Sequence, residues 1–269
     1  MPPRWIRALH PRRLGELTRA LQRFENHGAF ARAYLRPGSA AFPLELAMRS
    51  GWRITLRDGH DAATAWVVFC REEYQVPLRA RCIVDIGANF GAFSLYAAMR
   101  APWARVVSLE PHPHEFPRLR DHVLANGLDG RIQAMQVAVA ADAGARWMDA
   151  DPAHPGPSRG IHPASADGDP PPESVPVRAI TLMEALDRAR AATGADRISL
   201  VKMDIEGAEH EILPDLHPDT LYDVDAWVME YHPNGPRAPL FAALERAGLR
   251  LVRDVEAHPD SGVAHFRRD

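Results

Sequence analysis

At 269 residues, 46% hydrophobic and 25% charged, the chain is long enough to bury one large core and has the composition of a globular protein. A formal net charge of −3 supplies no basic field for nucleic acid, and the longest apolar runs are too short and too interrupted by Arg and Asp to span a bilayer. Cys70 and Cys82 stand among apolar residues and read as reduced core thiols, while "MPPRWIRALHPRR" lacks the apolar core of a secretory signal; a cytoplasmic protein is the expectation.

Residues 1–36 are rich in arginine. Leu14, Leu17, Leu21, Phe24 and Phe30 recur at roughly helical spacing, which predicts an N-terminal helix packed on the body with a solvated arginine face. The same helix is the natural place for a membrane surface, a partner or homo-oligomerisation to act. "GWRITLRDG" (51–59) and "TAWVVFC" (64–70) read as strands or extended pieces. Residues 1–73 are thus expected as an appendage to a domain at 74–269.

From Arg81 the pattern becomes strand, glycine turn, helix, strand. Strands are predicted over 81–87, 105–111 and 131–140, with helices over 90–99 and 113–126, the latter stopped by Asn126-Gly127. Residues 141–176 are crowded with proline and glycine and predict a long loop, with 150–175 its proline-rich part. Order resumes with a helix at 180–192, strands at 197–204 and 225–232, a helix at 239–248 and a C-terminal hairpin around "HPDSG". Strands alternating with helices of this length imply βαβ units and a mostly parallel sheet.

Two strand ends carry the chemistry. "VDIGANFG" (84–91) places Asp85, Gly87, Asn89 and Gly91 at the carboxyl end of one strand, where open α/β sheets bind ligands, and Glu110 ends the next strand, where a carboxylate can hold both hydroxyls of a ribose. A nicotinamide dinucleotide calls for G-x-G-x-x-G; here Asn89 stands in place of the second glycine and Ala92 follows Gly91. Asp85 is a poor neighbour for a pyrophosphate but suits a ligand bearing ammonium and sulfonium groups, as S-adenosylmethionine does.

The second end is "KMDIEGAEHEIL" (202–213). Lys202 is the single lysine among 32 lysines and arginines. By strand alternation Lys202 and Asp204 share a side, and Glu230 and His232 share a face at the end of the following strand. Glu206, His232 or Asp204 could serve as a general base. Alternatively Asp204 with Glu230 or His232 could hold a divalent metal such as Mg²⁺ that acidifies a hydroxyl. Lys202 reads first as an ion-pair partner that keeps Asp204 ionised, and second as a catalytic group. Glu209 and Glu211 read as surface acids on the helix after Gly207, and His210 is left unassigned.

Five blocks in order, "VDIGANFGAFSLYAA", "SLEPHPHEFPRLRDHVLANGL", "VAVA", "VPVRAITLMEAL" and "LVKMDIEGAEHEIL", resemble FkbM-type S-adenosylmethionine-dependent methyltransferases over roughly residues 74–232. The resemblance implies a class I methyltransferase fold of the Rossmann-like kind: α/β, with a seven-stranded, mostly parallel sheet whose last strand is antiparallel. It further implies that Asp85, Gly87, Asn89 and Gly91 line the methionine side of the cofactor, that Glu110 binds its ribose, that Asn126 and Ala138 lie near its nucleoside, that Ala88, Pro111 and Asp204 also bind it, and that Asp204 and Glu206 fall in the active-site block. O-methylation of a sugar, glycan or natural-product hydroxyl is the activity it suggests. The alternatives are N-methylation of a peptide or amine, an NAD-type oxidoreductase, and a non-catalytic binding protein of methyltransferase shape.

Overall fold

The computed structural model describes residues 11–149, 161–163 and 174–269, in two compact units. The smaller comprises the described residues up to Glu73 together with Asp121–Leu128, and the larger begins at Tyr74.

In the smaller unit the N-terminal periodicity forms two helices, α1 (Pro11–Arg23) and α2 (His27–Leu35), where one was expected. The break comes where Glu25 N donates to Ala47 O and Phe24 bridges to Met48, so the chain leaves the helix to pair with β1 (Leu44–Ala47). β1 and β2 (Arg53–Leu56) form an antiparallel hairpin. Residues 64–70, expected as a strand, are helical instead. They complete α3 (Gly59–Trp66) and a wider helical turn, Val67–Arg71. Asp58 starts this helix, its carboxylate accepting from the N–H groups of His60 and Asp61. An apolar run of this length fits a buried helix as well as a strand, and the cap decides between them. The run brings Trp66 and Phe69 edge-on against Phe30 and Phe24, and all four rings are buried.

The larger unit is built on a seven-stranded sheet. Its strands are β3 (Cys82–Ile86), β4 (Arg105–Leu109), β5 (Ile132–Met135), β10 (Leu200–Met203), β11 (Ala226–Tyr231), β12 (Arg250–His258) and β13 (Ser261–Arg267), in the order β12-β13-β11-β10-β3-β4-β5. All pairings from β11 to β5 are parallel; β13, the last strand, runs antiparallel to both neighbours. Helices α4 (Ala92–Arg100), α5 (Glu115–Ala125), α6 (Leu182–Thr193) and α8 (Arg237–Arg246), with the single turn α7 (Glu209–Ile212), connect the strands. Parallel strands covered on both faces need continuous apolar runs, and Ile83 with Val84, Val106 with Val107, Leu200 with Val201, and Trp227 with Val228 and Met229 supply them, all buried. Burying each such side chain stabilises the fold by about 1.5–3 kcal/mol.

The stretch 131–140 is divided: β5 joins the main sheet, whereas β6 (Ala138–Ala140) joins β7 (Gly144–Asp149), β8 (Ile161–Pro163) and β9 (Ser174–Thr181) in a second sheet. The expected loop at 141–176 is therefore strand at both described ends, while 150–160 and 164–173 of the proline-rich part lie outside the described residues. Among the described residues no helix is long and apolar enough to cross a membrane.

The connectivity places the site. From β3 the chain moves outward to β4 and β5, then returns to β10 on the other flank of β3. That reversal is a topological switch point, with a crevice at the carboxyl ends of β3 and β10.

Candidate active site

The turn after β3 packs tightly on the end of β10. Asp204 N donates to Ile86 O, and a Cβ added at Gly87, whose φ is 76°, would stand 1.8 Å from the carbonyl oxygen of Asp204. Only glycine permits that approach. Gly87 N and Ala88 N both donate to Leu109 O, which ties the turn to β4. Asn89, also at positive φ, donates its N–H to Glu110 Oε2 (2.6 Å), and its side-chain oxygen accepts from Phe90 N. Glu110 Oε1 accepts from His112 N at 2.8 Å, so two backbone N–H groups hold the carboxylate, and Pro111 beside it is buried. Gly91, at φ 91°, begins α4.

Asp85 lies deeper than expected. It is fully buried, with Oδ2 accepting from Ser94 Oγ (2.6 Å) and Oδ1 3.3 Å from Lys202 Nζ. The register makes this contact, because Lys202 stands beside Asp85 in the parallel pair β10–β3. Lys202 Nζ also donates to Gly87 O at 2.7 Å and lies 3.7 Å from Asp204 Oδ2. Burial disfavours the ammonium, but Asp85, Asp204 and Glu230 outweigh that and hold its pKa above the usual lysine value. Lys202 is therefore the cation that joins the glycine turn to Asp204, the ion-pair role read first for it from the sequence. Its Nζ also lies 5.7 Å from the Tyr74 ring centroid and 6.0 Å from that of Phe93.

Above this base the ends of β10 and β11 bring Asp204, Glu206 and His232 together. One ligand-type atom from each lies within 4.8 Å of the others, and all three side chains are partly accessible. His232 Nε2 is 3.4 Å from Glu206 Oε2 and 3.8 Å from Asp204 Oδ1. Glu206 takes φ 56°, a left-handed conformation uncommon outside glycine, and so turns its carboxylate back over the strand end.

Glu209, expected as a surface acid, is completely buried. Its Oε2 accepts from Gly207 N, and its Oε1 accepts from both His232 N (2.9 Å) and His232 Nδ1 (3.0 Å). One carboxylate thus closes the loop after β10 and orients the histidine after β11. His210, unassigned from sequence, donates from Nε2 to His232 O at 2.9 Å and supports the same join. Glu211 is exposed, as expected.

Glu230 lies close enough to feel the charges of Asp204 and His232 but is not one of the three grouped side chains. Its Oε2 accepts from the hydroxyl of Tyr74 at 2.5 Å, a residue that sequence reasoning did not single out. The structure thus groups Glu206, not Glu230, with Asp204 and His232.

Crowded acids leave an electrostatic signature. Burial and the nearby Asp204 push the Glu206 carboxyl up to about 8, and the same two causes push Glu230 up to about 7. Burial alone would lower His232, but the hydrogen bond and charge of Glu209, with Asp204 and Glu206, raise it to about 9. Glu209, which burial alone would raise, is held below the usual carboxylate range by His232.

Two further residues were expected near a nucleoside, Asn126 and Ala138. Asn126 belongs to the smaller unit, where Oδ1 accepts from Arg53 N and Nδ2 donates to the carbonyls of Arg53 and His122. Its amide is engaged by backbone, and its position is explained by anchoring β2. Ala138 is buried in β6, paired with Ala179 of β9.

A doubly wound sheet of this strand order, with its polar groups gathered at the switch point, is the class I methyltransferase architecture with a Rossmann-like fold. The chain belongs to the FkbM methyltransferase family: the model described as "Methyltransferase FkbM domain" matches residues 85–260. It is 30% identical to the methyltransferase sdnD of Sordaria araneosa over 66% of this chain and 77% of that protein. It is 28% identical to the 31-O-demethyl-FK506 methyltransferase FkbM of Streptomyces tacrolimicus over 70% of this chain and 80% of that one. Among solved structures, the FkbM methyltransferase of Methylobacillus flagellatus aligns with a TM-score of 0.48 at 14% identity, covering 74% of this chain and 47% of that chain.

Proposed function

We propose that this methyltransferase uses S-adenosylmethionine to methylate a hydroxyl of a sugar or natural-product acceptor. The observation that carries the reading is the meeting of two unlike strand ends at one switch point: a glycine turn with Glu110 on one side, and the proton-handling triad Asp204, Glu206 and His232 on the other. Lys202 joins them. The donor chemistry fits this cofactor better than a dinucleotide. Asn89 occupies the loop where a pyrophosphate would need glycine, and carboxylates dominate a site that would receive a sulfonium and an ammonium. A relative named for methylating a demethyl oxygen of FK506 supports oxygen as the acceptor atom.

When bound, the cofactor supplies an electrophilic methyl group. Gly87, Ala88, Asn89 and Gly91 would present backbone to its methionine end, and Glu110 would hold its ribose. The triad aligns the acceptor hydroxyl and takes its proton as the new O–CH₃ bond forms. Positioning is the larger contribution, with proton removal adding about 10²–10⁴-fold.

The test is transfer of labelled methyl from S-adenosylmethionine into hydroxylated macrolide and glycoside acceptors, alongside thermal protection by S-adenosylhomocysteine and by NAD. Label in an ether, with protection by the homocysteine compound alone, is expected. Label confined to amines, or protection by NAD alone, would overturn the reading.

A further inference from the structure

We propose that Asp204, Glu206 and His232 form a binding site for one divalent cation, with Glu209 as the residue that positions its imidazole ligand. The role of the ion in methyl transfer rests on the function proposed above; its binding does not.

The distances suit a shared ion. Two ligand atoms bound to one small divalent cation at ~2.1 Å lie roughly 3–4.2 Å apart. His232 Nε2 is 3.4 Å from Glu206 Oε2 and 3.8 Å from Asp204 Oδ1, too long for hydrogen bonds in the first case to be strong and in the second to exist. The carboxylate of Asp204 is divided by direction: Oδ2 faces Lys202, and Oδ1 faces the histidine. Lys202 is committed to Gly87 O and Asp85, so it is not the cation that fills the triad.

The independent mark is behind the histidine. A metal-bound imidazole almost always gives its other N–H to a carboxylate or carbonyl, which fixes tautomer and ring direction. Glu209 does this here from a completely buried position, with Oε1 3.0 Å from Nδ1 and Oε2 on Gly207 N. Nε2 thereby lies 3.4 Å from Glu206 Oε2 and 3.8 Å from Asp204 Oδ1. Two carboxylates and one imidazole, all partly accessible, leave coordination positions open on one side, as a catalytic ion requires. Hard oxygen donors favour Mg²⁺ or Mn²⁺, with the single nitrogen tilting the set toward Mn²⁺. An ion there would bind the acceptor oxygen and lower its pKa as a Lewis acid, so that the hydroxyl proton would pass to solvent water in place of a free base.

The experiment titrates the full chain, stripped with EDTA, with Mn²⁺ in the absence of cofactor and acceptor. Electron paramagnetic resonance reads occupancy, and spin-echo modulation reads coordinated nitrogen. Expected is one saturable ion per chain, displaced by Mg²⁺, with modulation from one imidazole nitrogen that is lost in His232→Gln. Glu209→Gln should weaken binding about 10- to 100-fold, as loss of an outer-shell partner does, while Glu211→Gln on the same helical turn leaves it unchanged. If His232→Gln or Glu209→Gln fails to fold, the wild-type nitrogen signal still decides. The absence of a saturable site, or an ion bound without nitrogen, would overturn the assignment and leave a protonated His232 bridging the two acids. Because no methyl group is transferred in this titration, failure of the proposed activity would not produce that result.

Discussion

The two halves of the crevice handle polarity in opposite ways. At the ends of β3 and β4 the carboxylates face a cation or donors: Ser94 Oγ donates to Asp85 Oδ2 and the Lys202 ammonium stands 3.3 Å from its Oδ1, although burial still raises the Asp85 pKa, and backbone N–H groups hold Glu110. At the ends of β10 and β11 the carboxyls of Asp204, Glu206 and Glu230 crowd one another, and burial with mutual repulsion lifts two of them toward neutrality. A satisfied polar network is a rigid cradle, whereas an unsatisfied one is poised to accept a proton or a cation. The proposed function assigns cofactor binding to the first half and acceptor chemistry to the second.

Lys202 spans the divide, so its loss should do most damage. Lys202→Met leaves Asp85 buried without its cation and frees the glycine turn from β10. Removing one partner of a buried pair costs about 3–5 kcal/mol, and denaturant unfolding should register a loss of that size. A change below about 1 kcal/mol, the worth of an exposed pair, would mean that the two halves are not joined through this residue.

Smaller changes should separate the halves. Asp204→Asn is expected to lower kcat by about 10²-fold while S-adenosylhomocysteine still binds with nearly wild-type affinity. Glu110→Gln should do the reverse, weakening that ligand about tenfold, the equivalent of one charge-assisted hydrogen bond reduced to a neutral one. Calorimetric titration and steady-state kinetics on both variants make the comparison. If both lose cofactor affinity equally, the division of labour fails.

Much of this was legible in the sequence, because its signals are local. Alternating apolar runs and glycine stops define the βαβ units, and simple strand alternation puts Lys202 and Asp204 on one side. What escaped depends on contacts distant in sequence. Glu209 lies on a four-residue turn, too short for helical periodicity to say which way it faces, and its partner His232 is 23 residues on. Tyr74 meets Glu230 across 156 residues, and the second sheet forms by pairing residues 144–149 with 174–181 across a proline-rich stretch that reads as loop. The run at 64–70 is ambiguous in itself, and only Asp58 ahead of it marked a helix start.

Tyr74 offers the mildest and most discriminating probe. Its hydroxyl donates to Glu230 Oε2 at 2.5 Å, while its ring is buried beside Phe93 and lies 5.7 Å from Lys202 Nζ. Tyr74→Phe keeps the ring and removes only the donor, so the stability loss should be about 1 kcal/mol, that of one hydrogen bond. Glu230 is outside the triad, and so kcat should fall far less than in Asp204→Asn, with S-adenosylhomocysteine affinity unchanged. Any effect on turnover should appear as a higher KM for the acceptor, since Glu230 lies on the reacting side of the crevice. If instead Tyr74→Phe reduces kcat as severely as Asp204→Asn, the proton leaves through the Tyr74–Glu230 pair, and the reacting half must be redrawn around β11.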